Sequence, residues 1–270
     1  MLLSIVSSLD ETTNNLEAIL RRFSSLCALL KPLNYDGIEL SLLEPEKIKV
    51  EKLLEIMESY QMKVPALGTG STYIRFGYSL GDADESIRKK AINQLQKYLE
   101  LGGKINSKVI IGLIRGRYKY DSNIKKEKAY ILSSLNQVLK IAEENDVELL
   151  FEPINRFEVD SYNTISQSIE LLDDLKTDKI KLLIDSFHTY LEEDPVYVWE
   201  TLQEIAHRVG HLHLADTTRR APGSGYFDFK AFLSIFKQEN YKGFASIETI
   251  MKPSFEEVAR NSAEYLDSIL

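Results

Sequence analysis

The sequence predicts an α/β fold, a single (β/α)8 barrel spanning residues 1–270. Three observations predict it. Eight short apolar runs alternate with longer segments of helical periodicity, the pattern of parallel strands joined by helices. The length of 270 residues falls within the range of one such barrel. No Pro/Gly/Ser-rich linker or low-complexity tract divides the chain.

The strand candidates, in order, are LLSIVSSL (2–9), YDGIELSL (35–42), KVPALGTG (63–70), SKVIIGLI (107–114), VELLFEPI (147–154), KIKLLIDSF (179–187), GHLHLAD (210–216) and GFASIETI (243–250). Several are near-continuous in Val, Ile and Leu, as strands buried on both faces should be. Between them, LEAILRRFSSLCALL, VEKLLEIMESY, IRKKAINQLQKYLELG, AYILSSLNQVLKIAEEN and ISQSIELLDDL place apolar residues at i, i+3 and i+4, the spacing of an amphipathic helix. Gly102 and Gly103 follow the third of these, where a C′ glycine belongs. Pro195 and Ser254 mark two further helix starts. An open, doubly wound sheet is the alternative. Against it, no GxGxxG follows the first strand and no GxxxxGKS/T occurs anywhere.

Composition narrows the function. Apolar residues make up 44% and charged residues 27%, the balance of a soluble globular protein. No apolar run approaches the roughly 20 residues that span a bilayer, so no membrane partner is expected. The N-terminus lacks a basic n-region and reads as a first strand, not a signal peptide, which places the expected protein in the cytoplasm. The net charge of -8 speaks against a nucleic acid partner, since phosphate contacts need clustered Lys and Arg. The KKEK run at 125–128 reads as a solvated helix start. The single cysteine, Cys27, sits in SSLCALL and reads as a buried thiol.

In a (β/α)8 barrel, reactive groups sit where strands end and βα loops begin. The fifth strand candidate ends with Glu152 and leads to Glu158. The sixth offers Asp185 and His188, the seventh His211, His213, Asp216 and Arg219, and the eighth Glu248. Positions 152, 185, 213 and 248 are separated by 33, 28 and 35 residues, about one βα unit each. Four consecutive strands thus each deliver a ligand-type side chain to one rim. Such a convergence of carboxylates and imidazole needs a counter-charge, and a divalent cation supplies it. The oxygen-rich set favours Mn2+ or Mg2+, while Co2+ and Zn2+ would also bind. His211 and His213 point to the same face, so periodicity does not choose between them. His207 lies in a helical segment and reads as structural or exposed. Arg115 and Arg117 follow the fourth strand on the same rim and could grip a substrate carboxylate, although loop packing is the commoner role. Tyr73, Phe76 and Tyr78 could wall the apolar side of a bound substrate or simply pack their loop.

EPINRFE, DSFH, HLHLADTTRRAPGSGYFDF and the IE of the last strand resemble the signature segments of the xylose isomerase-like TIM barrels, a superfamily of sugar isomerases and epimerases. YSLGDADESIRKKAINQL and IIGLIRGR extend the likeness over most of the chain. Within the superfamily these segments most resemble the ketose 3-epimerases of the D-tagatose and D-psicose type and the related keto-sugar-acid epimerases. The resemblance implies one divalent metal, Mn2+ first, held by Glu152, Asp185, His213 and Glu248. It is this likeness that selects His213 over His211. It implies substrate contacts from Glu158, His188 and Arg219, and proton transfer by Glu152 and Glu248. It also implies a homo-oligomer, a dimer or tetramer, acting on a small sugar. SIETIMKPS departs from the pattern, lacking the proline that often follows the glutamate.

Epimerising a carbon beside a ketone removes a proton from one face and returns one to the other, through an enediolate that a metal would stabilise. The same parts would serve an aldose–ketose isomerase or a keto-polyol dehydratase. An endonuclease IV-like enzyme cutting abasic DNA shares the barrel, but its multi-metal site is richer in histidine than a chain with four in total. No lysine stands at the end of the later strands for a Schiff-base aldolase.

Overall fold

The structure is a computed structural model that describes residues 1–9, 15–117 and 124–269; the polar stretch after the first strand, residues 10–14, lies outside them. Its strands form a closed barrel, each paired in parallel with the next and the eighth with the first. They are β1 (Leu2–Ser8), β2 (Gly37–Ser41), β3 (Ala66–Gly68), β4 (Lys108–Ile111), β5 (Leu149–Phe151), β6 (Ile180–Asp185), β7 (Val209–Leu214) and β8 (Phe244–Ile247). Each falls inside one of the eight apolar runs, except that β7 begins one residue early, at Val209.

The outer layer is helical. α1 (Leu16–Leu30) is capped by Asn15, whose side chain accepts from the backbone N–H groups of Glu17 and Ala18 at 3.0 and 3.4 Å. Ile19, Phe23, Cys27 and Leu30, one face at helical spacing, are buried. Burial pushes the Cys27 thiol up to about 12, so it is inert packing. α2 (Val50–Tyr60) and the short α3 (Gly70–Phe76) precede α4 (Glu85–Ile105) and α5 (Ile124–Glu144). In α5, Lys125 and Lys126 are exposed, as a solvated helix start requires, whereas Glu127 of the same run is buried.

α4 corrects the reading of Gly102 and Gly103. They lie inside the helix, which runs on to a left-handed cap at Asn106. A Cβ on Gly102 would stand 2.8 Å from the carbonyl oxygen of Ser107, and one on Gly103 2.6 Å from that of Asn145. Close backbone approach, not helix termination, requires glycine at both.

The second half holds α6 (Ile165–Leu175), α7 (Ser186–Glu192), α8 (Val198–Ile205), α9 (Phe229–Gln238) and α10 (Phe255–Ile269). Ser254 caps α10 as expected, accepting from the Glu257 backbone N–H at 3.2 Å. Pro195 instead occupies a turn, and α8 begins only at Val198, whose N–H bonds the Asp194 carbonyl at 2.9 Å.

The barrel interior is divided. Ala66, Ile110, Leu150 and Leu183, from β3 to β6, form a small apolar cluster distinct from the large core that joins sheet to helices. From β1, β2, β7 and β8 come buried polar residues instead: Ser4, Glu39, His211, His213 and Ser246. Register places the latter group together. Ser4 pairs with Ser246, His213 with Ser246, and Asp185 with His213. The polar half leads up to the C-terminal rim.

Candidate metal centre and substrate cavity

Glu152, Asp185, His213 and Glu248 converge as predicted, each offering one ligand atom within 4.8 Å of the others. Strand register explains why. Asp185 and His213 are paired neighbours, and Glu248 lies two residues beyond the partner of His213, on the same face. Glu152 follows β5 directly, its N–H bonded to the Ile111 carbonyl at 3.3 Å. Nδ1 of His213 stands 3.2 Å from Glu248 Oε2, 3.7 Å from Glu152 Oε1 and 3.9 Å from Asp185 Oδ2. Asp185 divides its labour. Oδ1 caps α7 by accepting from the backbone N–H of Phe187 and His188 at 2.6 and 2.9 Å, which leaves Oδ2 for the cluster.

Sequence reasoning missed Glu39. Both its oxygens lie 3.1 Å from Nε2 of His213, and Oε2 also lies 2.9 Å from Nε2 of His211. An ionised carboxylate only accepts, so both rings present N–H to it. His213 therefore turns Nδ1 toward the three acids, the carboxylate–histidine arrangement that orients metal ligands. The signal for Glu39 in the sequence was a single charge within the strand segment GIELS. His211 is the satisfied core histidine of the pair, shared between Glu39 and Ser246 Oγ, each at 2.9 Å.

The electrostatics fit a cation. Nδ1 of His213 and Oε1 of Glu152 are buried and, among the described residues, meet no hydrogen-bond partner. Burial, then the charge of Glu248, pushes Asp185 up to about 8. Burial likewise raises Glu152. Burial opposes charge on His213, but Glu39 and Glu248 overcome it and hold its pKa well above the usual value. Glu248 is only partly buried, its side chain 30% exposed; the cost of that burial is outweighed by the His213 charge, which draws it down to about 2. Glu39 is buried too, and the two histidines hold it well below the carboxylate range. The protein alone thus keeps protons among side chains whose geometry suits one divalent ion. Three carboxylates and one imidazole are a hard, oxygen-rich donor set, suited to a divalent cation.

Above the cluster opens a cavity of about 490 Å³, lined among others by Glu152, Glu158, His188, His213, Arg219 and Glu248. That volume suits a small-molecule ligand. Glu158 accepts from Arg219 Nη1 at 2.5 Å and from Asn155 Nδ2 at 2.9 Å. The other arm of Arg219 reaches to 3.8 Å from Glu248 Oε2, and its guanidinium lies over the Phe187 ring at 5.3 Å. Arg219 takes a left-handed backbone, φ 57°, in a loop organised by the fully buried Asp216. The Asp216 carboxylate accepts from the N–H groups of Thr217, Gly223 and Phe227. His188, 3% exposed, is drawn down to about 3 by burial and then by Arg219, so it is neutral. Its Nε2 lies 3.7 Å from Glu152 Oε1.

Other rim residues have other work. Arg115 is buried, donates to the Glu152 carbonyl at 2.6 Å and lies over the Phe151 ring, so it braces the strand end. Arg117 pairs with Asp160 at 3.1 Å. Neither lines the cavity. Phe76 and Tyr78 stack on each other, and of the loop after β3 it is Ile74, with Gly68 to Ser71, that faces the cavity. His207 is exposed. Gly112 matters because a Cβ there would stand 2.7 Å from Glu152 Oε2.

Known proteins share this architecture. The chain is 27% identical over 225 residues to a D-psicose 3-epimerase of Enterocloster bolteae, covering 80% of this chain and 73% of that one. It is 23% identical over 242 residues to the 3-dehydro-D-guloside 4-epimerase of Escherichia coli, covering 86% and 87%. The crystal structure of D-allulose 3-epimerase from Methylomonas sp., in complex with D-allulose, superposes with a TM-score of 0.84 at 18% identity, covering 100% of this chain and 97% of that one. The sequence profile of one family matches residues 27–269. The chain belongs to the xylose isomerase-like TIM barrel family.

Proposed function

We propose that this protein is a divalent-metal-dependent epimerase or isomerase of a ketose or keto-sugar acid, moving a proton through an enediolate. The observation that carries the reading is the position of Glu152 and Glu248. Both belong to one ligand cluster and both line one cavity, yet they arrive from β5 and β8, three strands apart around the barrel. Two carboxylates approaching a carbon from different sides can take a proton from one face and return one to the other. The metal, held by Glu152, Asp185, His213 and Glu248, would supply charge stabilisation for the oxyanion as it develops.

The remaining side chains bind and orient. Neutral His188 and the cation of Arg219 suit the oxygens of a sugar, and Glu158, steadied by Arg219, suits a hydroxyl. The relatives named above are epimerases at carbon 3 and at carbon 4, so the family leaves the reacting carbon open. With Arg115 and Arg117 engaged elsewhere, the particular case for a carboxylate on the sugar loses its support, and neutral ketoses come first. Assembly as a dimer or tetramer is part of the same proposal.

The test is substitution and chelation. Glu152→Gln or Glu248→Gln abolishes turnover of a responsive ketose, and a chelator does so reversibly, with activity restored by Mn2+. Full activity after either substitution would sink the assignment.

A further inference from the structure

We propose that Asn155 is a positioning residue that fixes the proton of His188 on Nε2, so that this imidazole meets the substrate as a hydrogen-bond donor. The amide orientation of Asn155 follows from its neighbours. The backbone N–H of Phe157 donates to its Oδ1 at 3.0 Å, which identifies the oxygen, because a backbone N–H cannot accept. On the other side, the carboxylate of Glu158 lies 2.9 Å from Nδ2 and can only accept. Two independent partners thus turn the NH2 group inward. That group also lies 2.7 Å from Nδ1 of His188. Nδ1 must accept, the ring carries one proton, and that proton is on Nε2.

Asn155 is 1% exposed, and its oxygen and both amide hydrogens are all used. It joins the two candidate substrate contacts, Glu158 and His188, to a single amide. Nε2 is the nitrogen on the Glu152 side of the ring, 3.7 Å from Glu152 Oε1. The sugar atom it meets is therefore an acceptor: a carbonyl oxygen, or the alkoxide that grows from it in an enolisation. A hydroxyl offering its hydrogen would find no lone pair there. What His188 meets rests on the proposed function above; where its proton sits does not.

The experiment is 15N NMR of histidine-labelled protein, with the His188 signals identified by their loss in His188→Gln. The metal-free wild type should show an unprotonated Nδ1 and a protonated Nε2. Asn155→Asp keeps the shape but replaces the donor with an acceptor, so His188 should take a proton on Nδ1. In that variant kcat should fall about 10²-fold, the effect of losing one oxyanion donor, while Mn2+ affinity holds. A merely structural role would lower the melting temperature and leave the tautomer alone. A wild-type His188 protonated on Nδ1 overturns the proposal, as does a moved proton with unchanged kcat. If Asn155→Asp does not fold, the wild-type spectrum still decides. If the wild type turns over no ketose or keto-sugar acid, the functional reading fails and the tautomer stands or falls by itself.

Discussion

Glu39→Gln tests how the barrel interior prepares the proposed metal centre. The side chain keeps its shape and loses its charge. Glu39 accepts from His213 Nε2 at 3.1 Å through both oxygens and from His211 Nε2 at 2.9 Å through one. Glutamine has a single acceptor oxygen, and its amide nitrogen would face a ring nitrogen that also donates. One hydrogen bond to a charged group is lost, about 1.5–3 kcal/mol. At about 1.4 kcal/mol per decade, that is roughly a 10- to 100-fold loss in affinity, the range observed when the partner of a metal-bound histidine is removed. Calorimetric titration of Mn2+ into chelator-stripped protein reads the change directly, and the melting temperature of the stripped variant reports its folding. A folded variant that binds Mn2+ as tightly as the wild type would refute the argument that Glu39 orients His213.

Three other outcomes follow from the same geometry. The stabilisation conferred by saturating Mn2+ should grow from pH 5.5 to pH 8. Asp185 is raised to about 8 in the metal-free fold, so its contribution to stability is full below its unfolded value and fades as pH rises through about 8; His213 is raised too and acts in the same direction. Glu248, drawn down to about 2, works oppositely and only below the ordinary carboxylate range, outside this window. Protons therefore compete with the ion at the acid end, and a melting-temperature shift that is flat or larger at pH 5.5 contradicts this. Gly112→Ala brings a methyl to within 2.7 Å of Glu152 Oε2 and should weaken Mn2+ binding by about tenfold, as misplacing a ligand does, seen by the same titration against an unchanged far-UV spectrum. Arg219→Ala should raise KM and lower kcat while metal content, measured by atomic emission, stays at one per chain; loss of the metal would place Arg219 in the wrong role.

Much of this was legible in the sequence. Strands buried on both faces advertise themselves as runs of Val, Ile and Leu, and a ligand-type side chain at the end of each of four successive βα units advertises itself by spacing. Side chains defined by distant partners do not. Glu39 is one carboxylate in an apolar strand until β2 and β7 bring it against two histidines. His211 and His213 share a face and differ by two residues, about 7 Å along the strand; periodicity does not separate them, the family likeness selects His213, and the barrel places that one against the acids. Gly102 and Gly103 satisfied a local rule for helix ends, yet the approach of the Ser107 and Asn145 carbonyls, a tertiary fact, explains them. Arg115 stood at the right rim, but its guanidinium turns back to the Glu152 carbonyl. Asn155 lay in view inside EPINRFE, its importance hidden until His188 arrived from the next strand.

The most direct test of the central claim is solvent exchange at carbon. The protein, loaded with Mn2+, is incubated in D2O with a panel of ketoses, keto-sugar acids and their phosphates, and products are read by NMR and mass spectrometry. Deuterium should enter the carbon beside the carbonyl of at least one sugar, with inversion or carbonyl transfer at that position, and none should enter with Glu152→Gln or Glu248→Gln. Turnover of a sugar by the wild type without any solvent deuterium entering carbon, or incorporation that persists in both variants, would contradict the claim.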